Sequence, residues 1–587
     1  MRRIREAPAR MSLESATRDP NGAATARGPI LALLCTLLAL VAWFPSVRLG
    51  GWAYDDLEIL ENNPVVQGDL PAQAAFEQDY WAHLGAAGHY RPLATLALRA
   101  DFAISGLDPS AFHRTNALLH AAVVMLAGLC FVLLGIYVPA SPFPWIGLAL
   151  FAVHPALADS VAWISGRTSM LSALGGLSGA LAVLQFTVPW RDDSLGRAAK
   201  VGAASGLGLL LALLGKEDGV IFAPCFVGLA VLHSRRVAIG AALGSLVGLS
   251  VYLVLRAGVY GTPWPSAPHA PLADASLWER LLVGGRGLLE ALRLTLLPFE
   301  YPPIYERWAS FREVEPWIAA LGWGSWCACV VWCAKALRER AHRVRGGAVL
   351  LACASFLPMI QLVPAGVLFA PRFLYLPLLF GCLGMDAAFR GVFRSRAARV
   401  ASVVIALATL GAWVRTSVYE SKASFYAEQL RHVPEDAPSH NELALASESS
   451  GDLAAAKRHW QRSIELDPTY GRPWSNLGRL ALAEGDLERA ERCLRRATEL
   501  GRSNAIAHAN LGAFFLRQER FAEALTSYEN ATRLAPSMGA AWRGQAKAHL
   551  RLGQKERALR ALQRAREAGV NVDEELRNLQ RELDAKG

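Results

Sequence analysis

Two adjacent carboxylates, Asp55 and Asp56, lie in the segment Gly-Gly-Trp-Ala-Tyr-Asp-Asp-Leu, directly after the first long apolar run of the chain. A carboxylate can act as a general base when it removes the proton of an attacking hydroxyl, and this catalysis typically contributes about 10²–10⁴-fold. An isolated Asp-Asp pair is more often a solvated turn or a helix N-cap. The catalytic interpretation therefore depends on the polar motifs that accompany the pair.

Several such motifs follow, most of them at the ends of apolar runs. They are NPVV at 63–66, HYRPL at 89–93, GLDPSAFHRTNALLH at 106–120, VHP at 153–155, GR at 166–167, GKEDG at 215–219 and APRFLYLP at 370–377. Ionisable groups at a membrane edge are costly unless they are paired or solvated, so each is a functional candidate. If the helices place these motifs on one side of a membrane, we expect them to converge on one cavity.

The composition indicates a membrane protein. Of the 587 residues, 53% are hydrophobic and only 19% are charged, whereas soluble domains are typically about 25% charged. The apolar residues concentrate between about residues 29 and 413, and the last third is polar. The formal charge of +10 comes largely from short arginine blocks beside apolar runs, which is typical of membrane topology signals and not of a nucleic-acid surface.

The apolar part predicts about eleven membrane crossings, because a helix needs about 20 apolar residues to cross the hydrocarbon core. They centre on residues 29–48, 116–137, 142–160, 170–189, 199–214, 219–233, 237–256, 316–334, 347–366, 372–388 and 399–416. A cytoplasmic basic tail at 1–28 then places four further arginine-rich loops inside, as the positive-inside rule requires. Segment 281–297 carries three charges and would reverse this parity, so we predict an interfacial or re-entrant helix there.

The polar third is a repeat array with a 34-residue period. The residues in phase are Ala456, Ala490, Ala524 and Ala558, and also Gly451, Gly485, Glu519 and Gly553. This pattern is typical of tetratricopeptide repeats, in which small residues let two helices pack closely. We predict a linker at 417–436, four repeats at 437–572 and a capping helix at 573–587. In many such arrays the groove binds a peptide, but an array can also serve as a spacer or an assembly scaffold. The sequence leaves both roles open.

The cysteines predict neither a disulfide framework nor a metal site. Cys327, Cys329 and Cys333 lack paired CxxC spacing and lie in a continuous apolar run. We therefore interpret them as small core residues.

The order of the motifs resembles a known family. YDD followed by NNP, then YRPL with GLDPSAFHRTNALLH, LFAVHP, GKED and RFLYLP, all ahead of tetratricopeptide repeats, are similar to the transmembrane and tetratricopeptide-containing protein O-mannosyltransferases of the GT-C superfamily. The similarity covers about residues 30–570. It implies an all-α chain, with a polytopic GT-C-like helix bundle over 29–416, an outer loop at 49–115 that carries the acidic motif, and a C-terminal α-solenoid.

The resemblance also implies the reaction. Enzymes of this family transfer mannose from a polyprenyl-phosphate-linked donor to Ser or Thr hydroxyls of extracytoplasmic proteins. It assigns the catalytic base to Asp55, with Asp56 as partner or alternative. The residues expected to contact the donor phosphate or substrate are Arg91, His154, Arg167, Lys216, Glu217 and Arg372. The lipid-linked sugar is a substrate, so no cofactor is predicted. No residue is assigned to a metal, and the sequence leaves a metal requirement open.

The chain departs from the family pattern at one position. The family's RxLYLP arginine usually follows Glu, whereas here Pro371 precedes Arg372. The family's acidic position after the HP motif is Asp159, which we expect to hold a cation or to orient His154. Two structural alternatives remain for these residues. Arginines at membrane edges also bind lipid head groups. Lys216 and Glu217 can form an ordinary ion pair with each other.

Three other functions compete with this prediction. The first is a non-catalytic membrane scaffold that displays the repeats for protein assembly. The second is transfer of sugar to a lipid or glycan, and the third and weakest is a transporter. The predicted partners are the lipid-linked sugar, an acceptor protein, membrane lipids and a protein bound by the repeats. The predicted location is a bacterial inner membrane with the repeats in the periplasm, or the lumenal face of the endoplasmic reticulum.

Overall fold

The structure is a computed structural model that describes residues 22–82, 88–137, 143–187, 194–263, 272, 274–305, 313–339, 342–361, 367–501 and 504–584. It divides into two compact units, Met1–Phe425 and Tyr426–Gly587. Most of the predicted tail at 1–28 and the end of the predicted capping helix lie outside the described residues.

The described part of the first unit is built from α-helices joined by short 3₁₀ turns. The helices are α1 (Gly22–Ala42), α2 (Asp56–Asn62), α3 (Pro64–Gln67), α4 (Pro92–Ser105), α5 (Pro109–Tyr137), α6 (Trp145–Val153), α7 (Ala158–Val161), α8 (Arg167–Thr187), α9 (Leu195–Gly215), α10 (Phe222–Val231), α11 (Arg235–Tyr260), α12 (Leu277–Leu296), α13 (Pro316–Arg338), α14 (Arg343–Ala354), α15 (Tyr375–Phe393) and α16 (Ala397–Thr416). Helix α17 (Lys422–His432) contains the boundary between the two units.

Six helical segments in the described residues are long and apolar enough to cross a membrane. They are Pro109–Gly135, Ile164–Thr187, Leu195–Gly215, Arg235–Tyr260, Pro316–Arg338 and Pro371–Tyr419, of which the last contains both α15 and α16. A shorter apolar helix covers Arg27–Ala42. These helices indicate an integral, multi-pass membrane protein.

Three of the eleven predicted crossings are realised as shorter α-helices than expected. Helices α6 and α10 lie within segments 142–160 and 219–233, and α14 overlaps the start of segment 347–366; they have 9, 10 and 12 residues. At 1.5 Å per residue they reach about 14–18 Å, against a hydrocarbon core of about 30 Å. In α6 the cause is local, because a residue before proline disfavours the helical conformation. His154, which precedes Pro155, is accordingly extended.

Helix α12 covers the charged segment 281–297, and it is absent from the membrane-length apolar helices found among the described residues. Ser276 and Glu279 form a capping box at its start. It packs closely on α13, because a Cβ added at Gly285 or Gly322 would collide with the facing backbone. Its interfacial or re-entrant placement remains a prediction.

The second unit consists of consecutive packed helix pairs. Its further described helices are α18 (Ala437–Ser449), α19 (Leu453–Leu466), α20 (Gly471–Glu484), α21 (Leu487–Leu500), α22 (Ala505–Arg517), α23 (Phe521–Leu534), α24 (Gly539–Arg551), α25 (Lys555–Glu567) and α26 (Asp573–Asp584). The in-phase alanines are fully buried between helices. The in-phase turn residues Gly451, Gly485 and Gly553 have φ of 86°, 84° and 75°. Glu519 adopts the same left-handed conformation at φ 56° despite its side chain.

Candidate active site

The first unit contains a cavity of about 260 Å³ beside the acidic motif. Its walls come from residues far apart in the sequence, namely Tyr54, Asp159, Trp163, Pro303, Ile304, Val367, Phe369, Ala370, Arg372 and Phe425. Two glycines explain the approach of the backbones. A Cβ at Gly51 would lie 2.1 Å from the Glu420 carbonyl oxygen, and one at Gly166 would lie 2.5 Å from the Asp159 carbonyl oxygen.

Asp55 and Asp56 stand at the start of α2 and have different surroundings. Asp56 is buried, and it accepts hydrogen bonds from the Ala53 amide at 3.3 Å, the Ser165 amide at 3.2 Å and the Ser165 hydroxyl at 3.3 Å. Asp55 remains partly exposed, and its Oδ1 accepts from Trp163 Nε1 at 3.1 Å. Asp56 is therefore held in place by the fold, while Asp55 stays accessible next to a cavity wall.

The two carboxyl groups have unusual proton affinities. Desolvation by the surrounding protein raises the pKa of the partly exposed Asp55 well above its ordinary value, the negative charge of Asp56 raises it further, and Arg372 opposes the change. Burial raises the pKa of Asp56 to about 7, although the hydrogen bonds from Ser165 and Ala53 oppose it. A carboxyl with a raised pKa can hold and release a proton nearer to neutral pH, as general acid–base catalysis requires.

Arg372 faces the same cavity from the 3₁₀ turn Pro371–Leu374. Its guanidinium stacks 4.8 Å from the Trp163 ring, and its Nη1 donates to Asp159 Oδ2 at 3.4 Å. The Arg372 amide donates to the same Asp159 oxygen at 3.0 Å, and Tyr419 donates its hydroxyl to the other oxygen at 2.8 Å. Asp159 thus supplies the carboxylate that pairs with Arg372.

A second cluster of polar side chains connects the HYRPL and GKEDG motifs. Arg91 donates from Nε and Nη2 to Glu217 Oε2, both at 3.1 Å. Burial would raise the pKa of Glu217, but the charge of Arg91 and the contact with His89 outweigh it and hold this pKa well below its ordinary value. Lys216 instead pairs with Asp218 at 3.0 Å. The expected alternative of a Lys216–Glu217 pair is therefore wrong, because each residue has another partner.

Lys216 lies close to the Arg372 region. Its Nζ donates to Ser169 Oγ at 2.9 Å and stands 5.4 Å from the Phe373 ring. The guanidinium of Arg372 lies 5.6 Å from the same ring. Burial lowers the pKa of Lys216, although Asp218 opposes this. The fold therefore brings the GKEDG and RFLYLP motifs together around Phe373.

Neither Arg167 nor His154 is among the described residues that line the cavity, and both contact other parts of the protein. Arg167 is fully buried, pairs with Asp101 at 2.8 Å and donates to the carbonyl oxygens of Phe112 and Ile164, both at 3.3 Å. His154 Nε2 lies 3.2 Å from the Thr295 carbonyl oxygen. The expectation that Asp159 orients His154 is wrong, since the Asp159 carboxylate contacts Arg372 and Tyr419.

Sequence reasoning missed the aromatic walls of the cavity. Trp163 is in none of the motifs that the sequence singles out, yet it contacts both Asp55 and Arg372. Its position four residues after Asp159, between the VHP and GR motifs, is the signal that was available. Tyr419 lies in the predicted linker, and Phe425, also in that segment, stacks on Tyr54 at 5.2 Å. No motif marked Tyr419 or Phe425.

Comparisons with known proteins identify the relatives of both regions. The tetratricopeptide repeat family matches residues 475–536 and 515–570. The protein O-mannosyl-transferase Tmtc3 of Drosophila melanogaster is 24% identical, over 81% of this chain and 60% of its own length. The protein O-mannosyl-transferase F38B6.6 of Caenorhabditis elegans is also 24% identical, over 78% of this chain and 66% of its own. The solved structure of MamA is 20% identical, covers 25% of this chain and 86% of its own, and has a TM-score of 0.23.

The membrane helices and the helical repeats define an integral membrane protein with a tetratricopeptide region. The chain is, more specifically, a distant homologue of the tetratricopeptide-containing TMTC protein O-mannosyl-transferases. It spans 60% and 66% of the length of the two relatives that match most of it.

Proposed function

We propose that this protein transfers a sugar, mannose as the names of its relatives indicate, from a polyprenyl-phosphate-linked donor to Ser or Thr hydroxyls of extracytoplasmic proteins. The observation that carries the proposal is that Trp163, which lines the cavity together with Arg372, contacts both Arg372 and Asp55. A partly exposed carboxylate and a cavity-facing guanidinium are the two groups that such a transfer needs. The homology to protein O-mannosyl-transferases supports the same reaction.

Arg372 binds the donor phosphate in this mechanism. A guanidinium remains charged at all relevant pH values and presents several donors, so it can pair with phosphate oxygens while keeping other contacts. Asp159 and Trp163 hold Arg372 in place, and 22% of its side chain remains exposed. As the bond between sugar and phosphate breaks, negative charge grows on the leaving phosphate and Arg372 stabilises it.

Asp55 acts as the base toward the acceptor hydroxyl. It takes the proton from the Ser or Thr oxygen as that oxygen bonds to the anomeric carbon, and the lipid phosphate leaves with the electron pair of the broken bond. A single displacement of this kind inverts the anomeric centre. Asp56 positions the start of α2 through its bonds to Ser165 and Ala53, and its charge keeps the pKa of Asp55 raised.

The other sequence-derived candidates take secondary places. Lys216, which pairs with Asp218, adds a positive charge near Phe373 on the phosphate side of the site, and the pair of Arg91 with Glu217 holds the neighbouring residue of the same motif. His154 and Arg167 make contacts that hold the surrounding helices. The repeats bind the acceptor protein or a partner.

The mechanism places the acidic motif and the repeats on the extracytoplasmic side, with the N-terminus in the cytoplasm. A reporter that is active only outside the cytoplasm, fused after Gly587, is expected to be active. The same reporter fused at residue 340 is expected to be inactive. The opposite pair of results would overturn this topology and the mechanism with it.

The test of the proposal is transfer of labelled hexose by the detergent-purified full chain. A panel of polyprenyl-phosphate sugars serves as donors and native membrane proteins as acceptors, with wild type, Asp55→Asn and Asp69→Asn in parallel. Asp69 is an exposed aspartate in the same loop, so its variant is the matched control. Labelling by wild type and Asp69→Asn, with its loss in Asp55→Asn, is the expected result.

Two outcomes point to other functions. If the label appears only in lipid or glycan, the acceptor is a lipid or a glycan and not a protein. Absence of transfer from every donor, with folded protein and proven acceptors, would leave the membrane scaffold as the function.

A further inference from the structure

Two cysteines of helix α13 and one of helix α14 meet between these helices. Cys329 and Cys333 are one turn apart on α13, and Cys353 lies near the end of α14. Their sulfur atoms all lie within 4.8 Å of one another. The sequence trio of Cys327, Cys329 and Cys333 thus differs from the structural one, because Cys353 takes the place of Cys327.

The helices approach each other at this point for a local reason. A Cβ added at Gly346 would lie 2.8 Å from the Ala336 side chain and 3.2 Å from the Cys333 carbonyl oxygen. Glycine therefore lets α14 start close against α13. Trp326 Nε1 also donates to the Cys353 carbonyl oxygen at 3.1 Å, which connects the two helices on the other side of the cluster.

The spacing of the sulfur atoms suits a bound ion. Three sulfurs around one metal ion lie about 4 Å apart when the metal–sulfur bonds are about 2.3 Å. Sulfurs within 4.8 Å need only small side-chain rotations to reach that arrangement. A disulfide would join two of the three cysteines and leave the third without a role.

The cluster is also reachable by an ion. Cys329 and Cys353 line a cavity of about 870 Å³ that extends to Lys335, His342 and Arg345. These basic residues belong to the loop that the predicted topology places in the cytoplasm, where thiols stay reduced.

We propose that Cys329, Cys333 and Cys353 form a binding site for one soft monovalent cation of the Cu(I) type. Thiolates select soft metals, and Cu(I) accepts three sulfur ligands, whereas Zn²⁺ in structural sites almost always takes four. Among the described residues, three side chains at this place lie close enough together to bind one metal ion. The site lies apart from the Asp55 cavity and does not depend on the transferase function.

The test uses the full chain in detergent, reduced with a non-thiol reductant and titrated with Cu(I) against a chromophoric Cu(I) chelator. We expect one Cu(I) per chain and an X-ray absorption spectrum with three sulfur neighbours. Cys329→Ser, Cys333→Ser and Cys353→Ser are each expected to weaken binding by more than about 100-fold, since loss of a ligand exceeds the 10–100-fold cost of losing an outer-shell partner.

Cys327→Ser is the matched control, because Cys327 is exposed on the same helix and lies outside the cluster. It is expected to bind Cu(I) like wild type. The X-ray absorption spectrum is recorded on the wild-type protein, so this part of the test does not depend on the folding of a variant. Fewer than three sulfur neighbours, equal losses in Cys327→Ser and Cys329→Ser, or tighter binding of Zn²⁺ with a nitrogen or oxygen ligand would each overturn the proposal.

Discussion

The cavity around Arg372 and the buried pair of Arg167 with Asp101 use the same side chain in opposite ways. Arg167 has no exposed side-chain surface, and it donates to Asp101 and to two backbone carbonyls. Arg372 keeps 22% of its side chain exposed at a cavity wall. Motif position alone gives both arginines the same predicted role. Only the remaining exposure of the guanidinium separates a group that can bind a ligand from one that holds helices together.

The largest effect expected from this comparison is on stability. Arg167→Ala leaves the Asp101 carboxylate buried without its cation, which typically costs about 3–5 kcal/mol of unfolding free energy. Unfolding of the full chain in detergent measures it. Arg114→Ala is the control, because its pair with Asp108 is exposed and such pairs contribute about 0–1 kcal/mol. If Arg167→Ala leaves the protein stable but abolishes donor binding, Arg167 binds the ligand and does not hold the helices together, which contradicts the comparison.

Arg372→Ala is expected to act on catalysis. Removing a group that stabilises the charge of the leaving phosphate typically costs about 10²–10³-fold in rate. Arg372→Lys retains a positive charge but not the planar fork, so its kcat/KM should fall between those of wild type and Arg372→Ala. Steady-state transfer assays measure all three proteins. Equal kcat/KM in Arg372→Ala and wild type would remove Arg372 from the site.

The pH dependence sharpens the role of the acidic pair. Asp55 must be deprotonated to act as a base, and burial together with Asp56 raises its pKa. The activity should therefore fall on the acid side at a pH above the ordinary aspartate range near about 3.9. Asp56→Asn removes the neighbouring negative charge, which lowers the pKa of Asp55 and moves this acid limb to lower pH. A limb that stays in place or moves upward in Asp56→Asn contradicts the coupling.

The smallest effect is expected in the repeat unit. Glu519 occupies a turn position where the in-phase residues are glycines, and its φ is 56°. A non-glycine residue in this region costs about 1 kcal/mol. Glu519→Gly should slow hydrogen exchange in α22 and α23 of the full chain, while Gly485→Ala should accelerate it in α20 and α21. Faster exchange in Glu519→Gly would show that its exposed pair with Arg551 outweighs the strain.

The repeat unit follows from its sequence because its contacts are local and periodic. Ala456 and Ala490 are one 34-residue period apart, and each is fully buried between neighbouring helices. The left-handed turns at Gly451 and Gly485 follow from the same period. Even the exception at Glu519 keeps the turn conformation, because the flanking helices determine it.

The candidate site was only partly predictable. Asp55 and Arg372 were found from the order of their motifs, but their contacts were not. Asp159 and Arg372 are separated by 213 residues, and Asp159 and Tyr419 by 260. No period or motif spacing encodes such contacts. Counting apolar residues also missed the end of α6, where Pro155 ends the helix although the sequence remains apolar.

The most direct test of the central claim separates donor binding from transfer in Asp55→Asn. If Asp55 is the base, this variant binds the polyprenyl-phosphate sugar with nearly the wild-type Kd, because Arg372 is unchanged. Its transfer rate at saturating donor then falls by about 10²–10⁴-fold. Transfer at the wild-type rate, or a loss of donor binding as large as the loss of transfer, would contradict the assignment of Asp55 as the catalytic base.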